Sequence, residues 1–227
     1  MNSIKVKICG LKRADDLQNC MHLGVDILGF VCEYPLPVPW NLRRCEAMQL
    51  LNQVKQPHQS CVVTGGSAQK VIDLAKELRP SLIQLHHNET LEETKIIAAA
   101  LLQHHIGVIK TVPPADQERV RQFGTADIQT IVKQLCQTDI YGLLADSRIP
   151  ANAATAGSQL DLNFCKQIIR ASSKPVIIAG GITAKNATNI IKQTGAQIID
   201  VMSGVETVPG EKDYQLLSDL LTSIRQL

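Results

Sequence analysis

The sequence predicts a (β/α)8 TIM barrel, an α/β fold, and three observations carry that prediction. Short apolar runs of four to six residues, rich in Val, Ile and Leu, recur along the chain, as strands buried on both faces of a parallel sheet require. Between them lie stretches with apolar residues three and four apart, the spacing of a helix that lays one stripe on a core. Eight such pairs in 227 residues leave about 28 residues per unit, which suits a compact barrel. A doubly wound open sheet rarely needs eight evenly spaced units, and no G-x-G-x-x-G follows the first run. No linker or low-complexity run divides the chain, so residues 1–227 are expected to form one domain.

In chain order, the strands are predicted at 4–9, 27–32, 60–64, 82–86, 108–112, 141–146, 176–179 and 198–202. After the first, Leu17, Cys20, Met21 and Gly24 share one helical face. After the third, Val71, Leu74, Ala75 and Leu78 do the same. The last segment carries Tyr214, Leu217, Leu220, Leu221 and Ile224. Eight helices are expected with the eight strands. Two segments follow neither period: 33–42, with three prolines, and 147–158, rich in Ala, Asn and Gly. They follow the second and sixth strands, so both are expected as loops over the catalytic face.

Composition narrows the function. Net charge is +2 and the signs are interspersed, which leaves no footprint for nucleic acid. Aromatic content is 3% with a single tryptophan, Trp40, so base-stacking platforms are not expected. The longest apolar run, "IIAAALL", has seven residues, far short of the roughly 18 that span a membrane. The chain opens on "SIKVKI" without a charged-then-apolar leader. Seven scattered cysteines with no C-x-x-C pair read as reduced thiols in a cytoplasmic protein. The pairs His86–His87 and His104–His105 suggest metal ligands. Neighbours in a strand point to opposite faces, however, and the second pair ends a helical pattern, where cations are favoured. No metal is expected.

Barrel active sites form at the C-terminal ends of the strands. Cys9, Gln84, His86, Asp146, Gly180 and Ser203 all fall there and should meet at one mouth. Strand parity places Lys7 in the barrel below Cys9, and Asp200 on the last strand is the expected partner of its ammonium. That ammonium is expected to lower the Cys9 thiol from about 8.5. Gly180 and Gly181 end the seventh strand, and Ser203 and Gly204 end the eighth; barrels commonly bind phosphate between those two loops, where bare backbone N–H groups can reach the oxygens. Other readings stand beside these. A cysteine at a strand end is often a small buried hydrophobe, and an aspartate after a strand often caps the next helix. Cys20, Cys136 and Cys165 fall in helical patterns and are expected in the core.

Several stretches in order, "KICGLKRADDL", "GVDILGFV", "IQLHHNE", "GVIKTV", "GLLADS", "PVIIAGGI" and "IDVMSGVETVPGEKD", resemble the signature segments of the phosphoribosylanthranilate isomerase family, a group of (β/α)8 enzymes of tryptophan biosynthesis. The resemblance implies an Amadori rearrangement of a phosphorylated sugar, with no cofactor or metal. It places the general base on Cys9, the general acid on Asp146 and the phosphate on Gly180, Gly181, Ser203 and Gly204. Lys7, Gln84, His86 and Asp200 become substrate-pocket candidates. The chain departs from the family pattern in three places. The loop after the second strand, where the family carries Ser-Pro-Arg, reads Leu36-Pro37-Val38. The family's Gly-Gly-Thr-Gly after the sixth strand is Ala154-Thr155-Ala156-Gly157, and a glycine after the fourth is His87. The arginine that should meet the substrate's carboxylate is thus absent at Val38, with Arg43, Arg44 and Arg148 as the nearest replacements. A divergent isomerase of another sugar phosphate, or a non-catalytic phosphate-binding barrel, are the alternative readings.

Overall fold

Apolar, β-branched runs form strands where the sequence places them, within a residue or two at each end. The computed structural model describes residues 4–146 and 160–227; the 147–158 loop, with Arg148 and 154–157, lies outside the described residues. The strands are β1 (Lys5–Ile8), β2 (Ile27–Cys32), β3 (Gln59–Thr64), β4 (Leu82–Leu85), β5 (Gly107–Val112), β6 (Gly142–Asp146), β7 (Val176–Ala179) and β8 (Ile198–Val201). Each pairs in parallel with its neighbours, and β1 pairs with both β2 and β8, which closes the sheet into an eight-stranded barrel.

The helices are α1 (Ala14–His22), α2 (Arg44–Leu51), α3 (Ala68–Leu78), α4 (Leu91–Leu102), α5 (Asp116–Phe123), α6 (Ile128–Cys136), α7 (Leu162–Ala171), α8 (Ala187–Thr194) and α9 (Tyr214–Arg225). The expectation of one helix per strand fails between β5 and β6, where the chain makes two. Gly124 ends α5 in the left-handed region with φ +75°, and its N–H closes on the Val120 carbonyl. Asp127 then starts α6 by accepting the Thr130 N–H at 2.8 Å. No helix among the described residues is long and apolar enough to cross a membrane.

Two apolar layers form. The larger lies between the barrel and its helices and takes in Cys20 and Cys165 as expected; Cys136 is only half-buried. The inner layer fills the barrel with Ile27, Cys61, Leu82, Ile109, Leu144, Ile177, Ala179 and Ile198, so every strand from β2 to β8 contributes an apolar side chain. The first strand contributes Lys7, which is fully buried. Its Nζ lies 2.7 Å from Asp200 Oδ2, and the two residues are register partners across the β1–β8 seam. Burial alone would push this ammonium down, but the Asp200 carboxylate beside it overrides that and holds it above the usual lysine range. The pairing expected from parity is therefore the one observed.

Removing one member of such a pair strands the other in the barrel. Lys7→Met is expected to cost about 3–5 kcal/mol, and adding Asp200→Leu should recover most of it. Chemical denaturation of the single and double variants measures both numbers; a single variant as stable as the parent would show that the pair does not hold the seam.

Candidate active site

The pair forms the floor beneath Cys9. Cys9 follows β1 directly, is 5% exposed, and bonds its N–H to the Val201 carbonyl at 2.9 Å. Gly29 of β2 makes room for it: a Cβ there would lie 3.0 Å from Cys9 Cα and 3.1 Å from Sγ. The expected lowering of the thiol pKa is not what the structure gives. Burial pushes the Cys9 thiol up, and Lys7 counters that only in part, because Asp200 lies beside the same ammonium and opposes the thiolate. In this state Cys9 is a neutral thiol poised over a cation.

Across the mouth, Asp146 ends β6 and is buried. Its Oδ2 is 3.5 Å from His86 Nε2. On the other side of that ring, Gln84 Nε2 lies 3.0 Å and Thr111 Oγ1 3.2 Å from Nδ1. With the Gln84 amide donating to Nδ1, a neutral ring carries its proton on Nε2, facing the carboxylate. Tyr34 donates its hydroxyl to the His86 carbonyl at 2.8 Å, and its ring meets His87 edge-on at 5.9 Å. Beneath these loops sits an arrangement the sequence reading missed. Glu89, fully enclosed, accepts from the His87 N–H at 3.1 Å, the Gly66 N–H at 3.4 Å and Lys110 Nζ at 3.1 Å. Lys110 is itself buried and donates also to Gln122 at 3.0 Å. One carboxylate thereby fixes the loops after β3 and β4 against β5 and α5.

The other flank is apolar. Tyr34, Val38, Trp40 and Met202 pack around Cys9, Val31 and Val63. The 33–42 loop is closed at its base by Asn41, whose side chain accepts from the Tyr34 N–H at 2.9 Å and donates to the Tyr34 carbonyl at 3.0 Å. A short strand at Asn41–Leu42 continues the sheet beside β2. Trp40 is the sole tryptophan in the sequence. Here its ring lies on Gly10, where a Cβ would come within 2.6 Å of Cδ1. Its N–H donates to Glu206 Oε1 at 2.8 Å, and that oxygen also takes Lys212 Nζ at 2.6 Å. The arginines considered as replacements for a loop cation are otherwise engaged. Arg43 is paired with Glu46 and 79% exposed, while Arg44 bridges Glu33 and Glu77.

The loops after β7 and β8 form the third side. Gly180 and Gly181 hold φ values of +119° and +59°, which only glycine adopts readily. Asn186 tightens their turn by accepting the Thr183 N–H at 2.7 Å and donating to the Gly181 carbonyl at 2.9 Å. Gly204, in a 3-10 turn at Ser203–Val205, touches the first loop directly: a Cβ would lie 1.8 Å from the Ile182 carbonyl oxygen. Among the described residues, no protein acceptor takes the N–H groups of Gly181, Ser203 and Gly204.

Cys9, Gln84, His86, Asp146, Gly180, Gly181, Ser203 and Gly204 thus all belong to the C-terminal end of the barrel, with Lys7 and Asp200 below them. The arrangement offers a thiol, an imidazole-backed carboxyl, an apolar flank and a set of bare amides. Such a mouth can move protons on a substrate that is part apolar and part anionic.

Comparison with known proteins agrees with this. The profile of the family described as N-(5'phosphoribosyl)anthranilate (PRA) isomerase matches residues 6–223. An N-(5'-phosphoribosyl)anthranilate isomerase of Rhodospirillum rubrum is 31% identical over 233 residues, covering all of both chains. Among solved structures, phosphoribosyl anthranilate isomerase from Thermotoga maritima superposes with a TM-score of 0.80 at 22% identity, over 99% of this chain and 100% of that one. A phosphoribosyl anthranilate isomerase in complex with reduced 1-(o-carboxyphenylamino)-1-deoxyribulose 5-phosphate gives 0.77 at 21%, over 99% of this chain and 100% of that one. At these identities the structural likeness speaks for the fold.

The glycine contacts make a testable claim independent of chemistry. Gly204→Ala has no room beside the Ile182 carbonyl, so the two loops must part. A backbone clash of this kind is expected to lower the melting temperature by several degrees in a thermal scan. An unchanged transition would mean that the loops yield freely there.

Proposed function

The chain belongs to the N-(5'-phosphoribosyl)anthranilate isomerase family, and on that premise we propose that it carries out the family's reaction, the Amadori rearrangement of a phosphoribosyl amine in tryptophan biosynthesis. Residues 1–227 would act as one cytoplasmic catalytic domain with a small phosphorylated sugar as substrate. The observation that carries the reading is that Cys9 and Asp146 stand at the C-terminal ends of β1 and β6, both buried, with Lys7 acting on the thiol and His86 3.5 Å from the carboxyl.

The proposed steps use the chain's own groups. Asp146 delivers a proton to the ribose ring oxygen. The C1–O bond breaks as the amine nitrogen's lone pair moves in, leaving an open-chain iminium. His86, held by Gln84 and Thr111, orients the carboxyl. Cys9, once its thiol proton has passed to solvent, takes the proton from C2 as the thiolate, and that electron pair neutralises the iminium to give an enol-amine. Return of that proton from Cys9 to C1, with loss of the C2 hydroxyl proton to the ionised Asp146 carboxylate, yields the aminoketose and restores the thiolate and the protonated carboxyl. The iminium is a new positive charge beside Cys9, and it favours the thiolate at the moment the base is needed. The phosphate rests on the N–H groups of Gly181, Ser203 and Gly204, with the N-terminus of α8 adding a favourable dipole. Each proton-transfer group is asked for roughly 10²–10⁴-fold in rate.

Cys9→Ala is expected to lose at least about 100-fold in kcat while keeping its fold; fluorescence of the phosphoribosylanthranilate pool follows the rate and circular dichroism the fold. The pH profile tests the thiol separately. Because burial raises the Cys9 pKa, the free enzyme holds little thiolate at neutral pH, and the fraction grows about tenfold per pH unit until the pKa is reached. The profile of kcat/KM should therefore still be rising above about pH 8.5. A plateau reached below about pH 8 would mean that Lys7 outweighs burial after all.

Asp146→Asn keeps the shape and hydrogen bonding but cannot deliver a proton. Its kcat should fall by about 10²–10⁴ with KM nearly unchanged. A wild-type rate in this variant would remove Asp146 from the acid role, and a loss of stability alone would leave it as a structural partner of His86.

A further inference from the structure

The mouth divides by chemistry. The carboxyl and imidazole occupy one flank, the glycine loops a second, and Tyr34, Val38, Trp40 and Met202 a third. A sugar phosphate carrying an aromatic amine has parts for each, and only the third suits a ring. Within that flank Tyr34 is already engaged, its hydroxyl on the His86 carbonyl and its ring against His87. Trp40 is half-buried, with its five-membered ring on Gly10 directly after Cys9.

The indole is also held more firmly than a loop residue needs to be. Glu206 Oε1 accepts from Trp40 Nε1 at 2.8 Å, from Lys212 Nζ at 2.6 Å and from the Gly210 N–H at 3.2 Å. The side chains of Lys212 and Glu206 are 0% and 4% exposed, and hydrogen bonds to an enclosed, ionised carboxylate are the strong ones. Glu206 directly follows the Ser203–Val205 turn and bonds its own N–H to the Ser203 carbonyl. Lys12 ties the same loop from outside by donating to the Pro39 carbonyl at 2.7 Å. A packing residue requires none of this orientation; a wall that must present one ring face does.

We propose that Trp40 is the specificity-determining wall on which the substrate's aromatic amine rests, and that Glu206 is the residue that positions it. This rests on the isomerase reading given above. An indole recognises the ring by offset stacking and apolar contact, and it is indifferent to the charge of the ring's substituent.

The test uses Trp40→Ala, Trp40→Phe and Glu206→Gln with phosphoribosylanthranilate, and anthranilate alone as a binding probe. Trp40→Ala is expected to raise KM about tenfold with little change in kcat. Trp40→Phe, which keeps a ring, should recover most of that loss. Glu206→Gln should raise KM less than Trp40→Ala and make the tryptophan emission redder and less polarised, since Trp40 is the only tryptophan in the chain. In the wild-type protein anthranilate should quench that emission saturably, because it absorbs where indole emits. An unchanged KM in Trp40→Ala, beside a dead Cys9→Ala, overturns the wall and leaves the isomerase reading intact. Absence of any turnover in the wild type removes the isomerase reading instead; anthranilate quenching then decides the wall by itself, saturable quenching supporting it and none overturning it.

Discussion

The ion pair between Lys7 and Asp200 is the constraint on which the rest of the barrel's working end depends. It joins the first strand to the last at the seam where the sheet closes on itself. It also decides what sits above it. A buried ammonium with no partner would either lose its proton or hold the neighbouring thiol ionised. Because Asp200 lies 2.7 Å away, the ammonium stays charged, and burial pushes the Cys9 thiol up by more than Lys7 lowers it. One carboxylate oxygen, Asp200 Oδ1, takes no hydrogen bond among the described residues.

Small residues do for the site's geometry what the pair does for its electrostatics. Gly29 leaves the space that Cys9 fills, and Gly10 leaves the surface on which Trp40 lies. Gly65 does the same under His87 and Glu89, where a Cβ would meet His87 Cβ at 2.4 Å. At each point the missing Cβ lets the backbone approach a neighbouring residue more closely than any other side chain would allow. Two buried carboxylates, Glu89 and Glu206, then hold the approaching loops by several bonds each. Hydrogen-bonded charges of this kind are costly to break one at a time, and they add to the short strand pairings at Asn41–Leu42 and between Glu206 and Lys212.

The fold was legible in the sequence because its signals are local. Runs such as "VVT" and "VIIA" announce strands by composition alone, and period-two parity was enough to pair Lys7 with Asp200 across nearly the whole chain. The convergence of Cys9, His86, Asp146 and the glycines at one end followed from barrel geometry. What was missed depends on distant partners or on competing magnitudes. The split into α5 and α6 turns on a single left-handed glycine within a polar stretch. Trp40 gains its setting from Glu206, 166 residues away, and Glu89 from Lys110, 21 away. The thiol pKa was read with the wrong sign because a sequence names the ammonium but not the depth of burial that outweighs it. Arg43 and Arg44 looked available until their carboxylate partners came into view.

The placement of anchors at the edges of the mouth has a reason in the chemistry proposed for it. An acid and a base of ordinary effectiveness supply roughly 10⁴–10⁸-fold together, and enzymes commonly reach more than that. The remainder has to come from position. Opening a ribose ring releases torsions that the cyclic substrate did not have, and an unrestrained chain would carry its C2 proton away from the sulfur. On the proposed reading, fixing both ends of that chain, at the bare amides of the Gly181 and Gly204 loops and at an apolar flank, leaves only its middle to move, near the strand ends that carry Cys9 and Asp146. Restraint of that kind is worth several kcal/mol when the reacting atoms stay near contact distance. It also explains why the loops are clamped by buried carboxylates rather than left to flex: an anchor that drifts by an ångström returns the torsions it was meant to remove.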